Sequence, residues 1–344
     1  MLRMVLAMMI LLAAATAARA QYDEQAFVEK AIPTYTIPTP APGSVAPLIG
    51  QARVYRIRKG DTLMDLARLF DLGYNEIVEA NPYIDAWVPP VGATILVPTE
   101  WILPCCTYRG IVVNVPEMRI FYMRPGATPG TTQVTTYPVG LGRDDWRTPT
   151  GKFKVSGKTV NPPWNIPESI RAEHIKERGD PRTFIPGGDP ENPLGKYRLE
   201  LTLPMYRIHG TNIPWGVGMQ VSHGCVRLYP EDIERMFPTV PVGTPGEFVY
   251  QTAKIGQRDG VLYAEVHEDI YGYTPAIFRE TLGLIERDGL TDRVDQSLLE
   301  AGMQDSGGVP FRISRDRAAS EPLTRTSAVD LRAPDPDPRQ ARDD

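Results

Sequence analysis

The sequence predicts a mainly β domain that is preceded by a small α+β domain and followed by an α/β appendage. Between residues 108 and 252, short runs of Val, Ile, Thr and Tyr are separated by turns that contain Gly or Pro, which is typical of a β-rich domain. On both sides of this region the apolar spacing changes to that of short amphipathic helices. A chain of 344 residues has room for about two domains.

Residues 1–20 have the pattern of a secretory signal peptide. Arg3 precedes an apolar run from Met4 to Ala15, and the small-x-small triplet Ala18-Arg19-Ala20 provides a cleavage site. The sequence therefore predicts export and a mature chain that begins after this triplet. An uncleaved N-terminal anchor is the alternative, although the apolar run is short for a membrane span.

Residues 21–50 are rich in proline, which favours extended backbone with little to bury. We interpret them as a Pro-rich linker whose end leads into the next domain. Residues 51–100 are predicted to form that small domain, in the order strand, helix, helix, strand.

The first helix of residues 51–100 is predicted from an apolar face formed by Leu63, Leu66, Ala67 and Phe70, with Asp61 as a candidate cap. The other predicted elements are a strand from Val54 to Arg58, a helix from Asn75 to Ala80 and a strand from Ile95 to Val97.

The β-rich region is interrupted by a Pro- and Gly-rich stretch, residues 161–196, with a short helix predicted near residues 168–178. We interpret this insertion as a lid and its His174 as a solvated helix residue. Residues 253–314 are predicted to form an α/β appendage in which His267, flanked by two glutamates, is exposed. Residues 315–344 are charged and poor in apolar residues, which predicts disorder.

The chemistry is predicted to lie at Cys225. A cysteine attacks as the thiolate, so it needs a base or a positive field nearby. His223 is two residues away, His209 is available from a neighbouring strand, and the Arg227 guanidinium can lower the thiol pKa or bind a substrate carboxylate. Gly224 allows close backbone approach, and its N–H and that of Cys225 are candidate oxyanion donors.

Two simpler interpretations of these residues are open. An isolated cysteine is usually a small core residue. Alternatively, His209, His223 and Cys225 offer three zinc ligands with one open position, although no further ligand at suitable spacing supports zinc.

The motif resembles a known family. His209-Gly210-Thr211 followed by Ser222-His223-Gly224-Cys225-Val226-Arg227-Leu228 is similar to the signature of the L,D-transpeptidases, whose catalytic domain is called YkuD. Thr148-Pro149-Thr150-Gly151 also resembles this family, and Arg227 is typical of its periplasmic Gram-negative branch. Gly60-Asp61-Thr62-Leu63, in its βααβ setting, resembles a LysM module.

The resemblance implies a YkuD-like β-sandwich over residues 108–252, and peptidoglycan as the partner of both domains. It implies a Cys225 thioester with a stem tetrapeptide, with His223 as general base, His209 orienting the site, and Ser222, Gly210 and Arg227 contacting substrate. Trp215, in the loop after His209, is a further candidate to line the pocket, and the alternative is that it only covers it. The terminal D-amino acid leaves, and an amine of diaminopimelate or of a wall-anchored protein accepts the acyl group. Carbapenems are expected to acylate the thiol, and no cofactor or metal is needed.

Other functions stay open at this point. If water accepts the acyl group, the enzyme is an L,D-carboxypeptidase, and another Cys/His wall peptidase would cleave inside the stem peptide. A degenerate catalytic domain would leave a wall-binding scaffold, and the LysM-like domain can be a spacer that binds nothing. The net charge of −5 and the absence of a basic run argue against nucleic acid as a partner. The three cysteines, of which Cys105 and Cys106 are adjacent, leave the pairing undecided.

Overall fold

The computed structural model describes residues 26–27, 30–105, 108–305, 307–315 and 329–330. The predicted signal peptide and nearly all of the predicted disordered tail lie outside the described residues. In the part of the chain that is described, no helix is long and apolar enough to cross a membrane.

Strands dominate the structure, and six helices accompany them among the described residues. The strands are β1 (Thr34–Pro38), β2 (Ala46–Gly50), β3 (Arg53–Arg56), β4 (Thr94–Val97), β5 (Glu100–Ile102), β6 (Gly110–Asn114), β7 (Arg119–Pro125), β8 (Thr131–Pro138), β9 (Leu141–Gly142), β10 (Gly151–Val160), β11 (Trp164–Asn165), β12 (Phe184–Ile185), β13 (Tyr197–Leu201), β14 (Arg207–His209), β15 (Gln220–Ser222), β16 (Val226–Arg227), β17 (Pro245–Val249), β18 (Ala253–Arg258), β19 (Val261–Val266), β20 (Phe311–Arg312) and β21 (Val329–Asp330). The helices are α1 (Leu63–Leu69), α2 (Tyr74–Glu79), α3 (Glu168–Arg178), α4 (Pro230–Thr239), α5 (Ile277–Arg287) and α6 (Gln296–Gln304).

The central feature is a nine-stranded sheet with the order β1-β8-β7-β6-β17-β10-β13-β14-β16. Its fourth strand, β6, is buried along its whole length, because alternate residues enter two different cores. Ile111 and Val113 pack in the core under α4, whereas Val112 packs with Leu63 and Leu66 of α1. The predicted mainly β fold, with an added βααβ unit and an α/β appendage, is confirmed.

The linker prediction is wrong for residues 34–50. Thr34–Pro38 forms the edge strand β1 on β8, and Ala46–Gly50 forms β2 between β5 and β18. Pro38 is tolerated because it is the last residue of the edge strand β1, which does not need every N–H group in the ladder. The Thr-Tyr-Thr-Ile alternation of β1 was the strand signal that the prolines obscured.

The βααβ unit forms as the sequence predicts, with β3 and β4 paired antiparallel beside α1 and α2. Its helix cap is Thr62, whose hydroxyl accepts from the Asp65 N–H at 3.0 Å, and is not the predicted Asp61. Asp61 instead holds the preceding turn, because its carboxylate accepts from the Arg58 N–H at 2.6 Å and the Tyr55 hydroxyl at 3.0 Å.

Buried ion pairs join the βααβ unit to the large sheet and to α4. Arg68 of α1 donates from Nε and Nη2 to the two carboxylate oxygens of Glu231, each at 3.0 Å. Arg119 of β7 forms a similar pair with Glu76 of α2, at 2.9 and 2.8 Å. The Lys30 ammonium lies 3.0 Å from the Asp71 carboxylate and 2.9 Å from Asp232. Because these charges are out of water, loss of one partner would leave a costly unpaired charge.

Two backbone hydrogen bonds connect the βααβ unit to a loop that follows His209. The N–H groups of Tyr74 and Asn75, at the start of α2, donate to the carbonyls of Val217 and Gly218 at 3.1 and 3.3 Å. Val217 and Gly218 belong to the loop between β14 and β15. The βααβ unit therefore supports that loop directly.

The appendage shares its sheet with the start of the chain, in the order β20-β19-β18-β2-β5. The helices α5 and α6 cover it through Ile285 and Leu299. His267 is buried here, and its Nε2 lies 2.7 Å from the Glu265 carboxylate, so the prediction of an exposed histidine is wrong. The reason is that Glu265 also faces inward, where it pairs with the Lys254 ammonium at 2.8 Å.

Candidate active site

Strands β14 and β16 bring the motif together. They pair in parallel, with Ile208 opposite Val226 and His209 opposite Arg227. Ile208 and Val226 are fully buried in the core. Since side chains alternate along a strand, His209 and Arg227 project from the opposite face, together with Cys225 two residues before Arg227. His209 and Cys225 are therefore diagonal neighbours on one face.

A tight turn between β15 and β16 presents Cys225. The buried Ser222 hydroxyl donates to the Cys225 carbonyl at 2.6 Å and accepts from the Gly224 N–H at 3.1 Å. Gly224 has φ +98°, and a Cβ there would lie 2.8 Å from Cε1 of Tyr206. The Ser222 hydroxyl and the Gly224 N–H, predicted to meet substrate and oxyanion, are thus engaged in shaping the turn.

Cys225 carries a free thiol, which lies 3.7 Å from the Met205 carbonyl. Burial raises the pKa of this thiol, while the Arg207 backbone N–H and the charge of Arg227 act in the opposite direction. Cys105 is disulfide-bonded, and since Cys225 is free, that bond does not involve the Cys225 thiol.

His209 is buried, and its Nδ1 lies 2.7 Å from the Gly210 carbonyl. A carbonyl only accepts, so Nδ1 carries the proton and Nε2 keeps its lone pair. Burial first, and then the Arg227 charge, lower the pKa of His209 to about 3. His209 is therefore a neutral base in the resting site. Gly210, predicted to contact substrate, orients this ring through its carbonyl.

His223 has different partners. Its Nε2 lies 2.9 Å from the Glu173 carboxylate and 3.3 Å from Nη2 of Arg143, and the Trp146 ring meets it edge-on at 5.2 Å. Arg143 and His223 together hold the pKa of Glu173 at about 2, with the Arg143 hydrogen bonds as the larger cause. His223 thus joins the insertion helix α3 to the catalytic turn.

Glu173 and Arg143 were not recognised from the sequence. Glu173 lies 50 positions before His223 and Arg143 lies 80 before it, so no local spacing pointed to them. The neighbouring His174, predicted to be solvated, is buried and packs edge-on against Trp164 at 5.8 Å between ring centroids. The helix of the insertion turns His174 inward and Glu173 toward the site.

The two remaining predicted residues, Trp215 and Arg227, differ in exposure. Trp215 is 44% exposed on a 3-10 turn, Pro214–Gly216, in the loop that α2 supports. The Nε of Arg227 is buried and finds no hydrogen-bond partner among the described residues. Burial lowers the pKa of Arg227. An unpaired buried guanidinium beside a nucleophile is suited to an anionic ligand.

The zinc alternative is not supported. In the described part of the chain, His209, His223 and Cys225 do not form a cluster in which all three ligand atoms lie within 4.8 Å of one another. The residues that do are Glu117, Glu265 and His267, at the buried junction with the appendage. There the Lys254 ammonium already lies 2.8 Å from both carboxylates.

Comparison with known proteins agrees with this geometry. The L,D-transpeptidase catalytic domain, YkuD, matches residues 108–248, and the LysM domain matches residues 55–98. Probable L,D-transpeptidase YbiS of Escherichia coli K12 is 35% identical over 291 residues, which cover 81% of this chain and 92% of that protein. Probable L,D-transpeptidase ErfK/SrfK of Salmonella typhimurium LT2 is 36% identical over 235 residues, or 67% of this chain and 74% of that one.

Among solved structures, the catalytic domain from E. faecium L,D-transpeptidase acylated by ertapenem aligns with a TM-score of 0.30 and 20% identity, over 42% of this chain and 100% of that chain. The extent and identity of the sequence matches decide the assignment. The chain belongs to the L,D-transpeptidase family and is an L,D-transpeptidase that combines a YkuD catalytic domain with a LysM domain.

Proposed function

We propose that this enzyme acts on peptidoglycan in the periplasm, after export by its N-terminal signal peptide. Cys225 forms a thioester with a stem tetrapeptide, the terminal D-amino acid leaves, and an amine takes the acyl group. The observation that carries this proposal is the pairing of a free thiol with a buried, neutral His209 whose Nε2 lone pair is available.

We assign the general base to His209, in place of His223. His209 has its tautomer fixed by the Gly210 carbonyl and lies diagonally from Cys225 on one sheet face. The Nε2 of His223 is engaged by Glu173, which suits a residue that positions the turn and the insertion. A neutral imidazole beside a neutral thiol favours proton transfer during attack over a stored ion pair.

The reaction then balances as two acyl transfers. The Cys225 thiol gives its proton to Nε2 of His209 as sulfur attacks the carbonyl of the residue before the terminal D-amino acid. Collapse of the tetrahedral intermediate breaks the peptide bond, and His209 returns the proton to the leaving amine. An acceptor amine attacks the thioester, loses a proton through His209 and restores the thiol.

The oxyanion is assigned to the Cys225 N–H, because the Gly224 N–H donates to Ser222 in the resting structure. The acceptor is proposed to be a diaminopimelate amine, which gives a 3–3 crosslink. A lysine of a wall-anchored protein is the alternative amine, and water in that place would make the enzyme an L,D-carboxypeptidase. The LysM domain is proposed to hold the glycan strand.

Intact-mass measurement on the mature protein with tetrapeptide muropeptides tests this function. We expect a mass increase at Cys225 equal to the donor minus the terminal D-amino acid, and none with Cys225→Ala. His209→Gln should slow acylation by about 10²–10⁴-fold, and His223→Gln by less. A carbapenem such as ertapenem should add its mass to the same thiol.

Three outcomes would contradict the proposal. Fragments cut inside the stem peptide would indicate a Cys/His endopeptidase or amidase. Binding to sacculi with no thiol adduct would indicate a scaffold. A larger loss of acylation rate in His223→Gln than in His209→Gln would assign the role of general base to His223.

A further inference from the structure

The sheet face that carries Cys225 and His209 carries three more charged residues, which lie outside the motif. The pairing of β13 with β14 places Arg198 opposite His209 and Glu200 opposite Arg207. Leu199 between them is fully buried on the other face. Strand alternation therefore sets Arg198, Glu200 and Arg207 on the active-site face.

One carboxylate holds both arginines. Glu200 Oε1 accepts from Arg198 Nε at 2.6 Å, and Glu200 Oε2 lies 2.5 Å from Arg207 Nε. Nη1 of Arg207 donates to the Tyr206 carbonyl at 2.7 Å, which fixes the guanidinium plane. The guanidinium of Arg207 is thus oriented before any ligand arrives.

The charge on this face is not balanced. Arg198 and Arg207 share the single carboxylate of Glu200, and the buried Nε of Arg227 has no partner among the described residues. These four side chains therefore leave an excess of positive charge beside the thiol. Arg227, Arg207 and Arg198 all act on the Cys225 thiol in the direction that favours its anion.

A substrate can reach these charges. The side chains of Arg198 and Glu200 are 22% exposed and that of Arg207 is 32% exposed. Arg207 also lies near the reacting atom in the chain, because the Cys225 sulfur is 3.7 Å from the carbonyl of Met205, two residues before Arg207. A partly buried guanidinium binds a carboxylate more strongly than an exposed one, since solvent screens it less.

We propose that Arg207, held by Glu200 and Arg198, forms with Arg227 a carboxylate subsite that selects donor peptides by the free carboxylate of the leaving residue. This inference rests on the proposed function and names the feature of the donor that the site recognises. The terminal carboxylate is one residue from the attacked carbonyl, so it is the anion nearest to Cys225. Carboxylates elsewhere in the stem share the chemistry but lie farther away.

The test compares three donors: the tetrapeptide free acid, its C-terminal amide, and a peptide with a free terminus but amidated side-chain carboxyls. We expect the wild-type enzyme to prefer the free acid over the C-terminal amide by about 10–100-fold in kcat/KM, as for a charged hydrogen-bond pair. Arg207→Gln should lose most of this preference, and Arg207→Lys should recover part of it, because charge remains without the planar fork.

Controls separate recognition from damage. Lys152→Gln removes one positive charge at an exposed position of β10 and should leave the preference unchanged. Alkylation of Cys225 by iodoacetamide, which is uncharged, measures how far loss of the Arg207 charge slows the thiol itself, and that change affects the acid and amide donors equally. An equal loss against acid and amide in Arg207→Gln would overturn the subsite, and so would a wild-type preference that depends only on side-chain amidation.

Binding distinguishes this failure from failure of the proposed function. In the Cys225→Ala protein, fluorescence titration with the free acid and the C-terminal amide measures recognition without turnover. The subsite is supported if the free acid binds more tightly than the amide and if Arg207→Gln makes the two affinities equal. This holds even if the wild-type enzyme turns over neither peptide. Equal affinities in the Cys225→Ala protein contradict it.

Discussion

Glu79→Gln should stabilise this protein at high pH. Glu79, at the end of α2, is half-buried against the appendage, and burial raises the pKa of its carboxyl from 4.5 to about 7. The folded state therefore holds the proton more tightly than the unfolded state. Stability falls as pH rises from about 4.5 to about 7, and the cost is complete above that. At about 1.4 kcal/mol for each pKa unit, the ceiling is about 3 kcal/mol, and residual solvent contact reduces it.

Urea unfolding of wild type and Glu79→Gln at pH 5 and pH 8 measures this effect. The free energy of unfolding of the variant, relative to that of wild type, should be about 1–3 kcal/mol higher at pH 8 than at pH 5. Glu286→Gln, at an exposed position of α5, removes the same charge and should show no such difference. If Glu79→Gln shifts stability equally at pH 5 and pH 8, the carboxyl is solvated and the docking of α2 against the appendage is wrong.

Three further predictions concern a buried ion pair, the turn at Gly224 and the Cys225 thiol. Glu231→Gln breaks a buried pair and should cost about 3–5 kcal/mol in urea unfolding, whereas Glu234→Gln, in an exposed pair on the same helix, should cost under about 1 kcal/mol. Gly224→Ala should abolish acylation with circular dichroism unchanged, while Gly179→Ala, also at positive φ but with open space around it, should keep activity. Because burial raises the pKa of Cys225 above 9.0, its alkylation rate should still climb beyond pH 9, and a plateau by pH 7 would contradict that environment.

Local patterns in the sequence were sufficient for most elements. The apolar spacing from Leu63 predicted α1, and the strand-like runs from Val54 and Ile95 predicted β3 and β4. The strands at residues 34–50 were missed because their stability comes from distant partners. The Thr34 hydroxyl, for example, bonds that of Thr135, 101 positions away.

The candidate site was also predicted in part by local sequence and in part only by the fold. The motif identified Cys225 and two histidines, because nucleophile and base types at that spacing are specific. The roles of those histidines depend on what their second nitrogen meets, and the Gly210 carbonyl and Glu173 become visible only in the fold. Arg198 and Arg207 were not singled out, since only the pairing of β13, β14 and β16 brings them to the thiol.

If the enzyme acts on peptidoglycan as proposed, the hydrogen bonds from the start of α2 to Val217 and Gly218 would affect how it searches the wall. A binding module on a flexible tether samples a wide volume and raises the local substrate concentration throughout it. Here two hydrogen bonds join the LysM domain directly to the loop between β14 and β15. A glycan strand held by that domain would present stem peptides at fixed offsets, and only one that hangs at the matching offset and side would meet the thiol. Compared with a tethered module, a docked LysM domain would sample a smaller volume, and it would fix which position along the glycan strand meets the thiol.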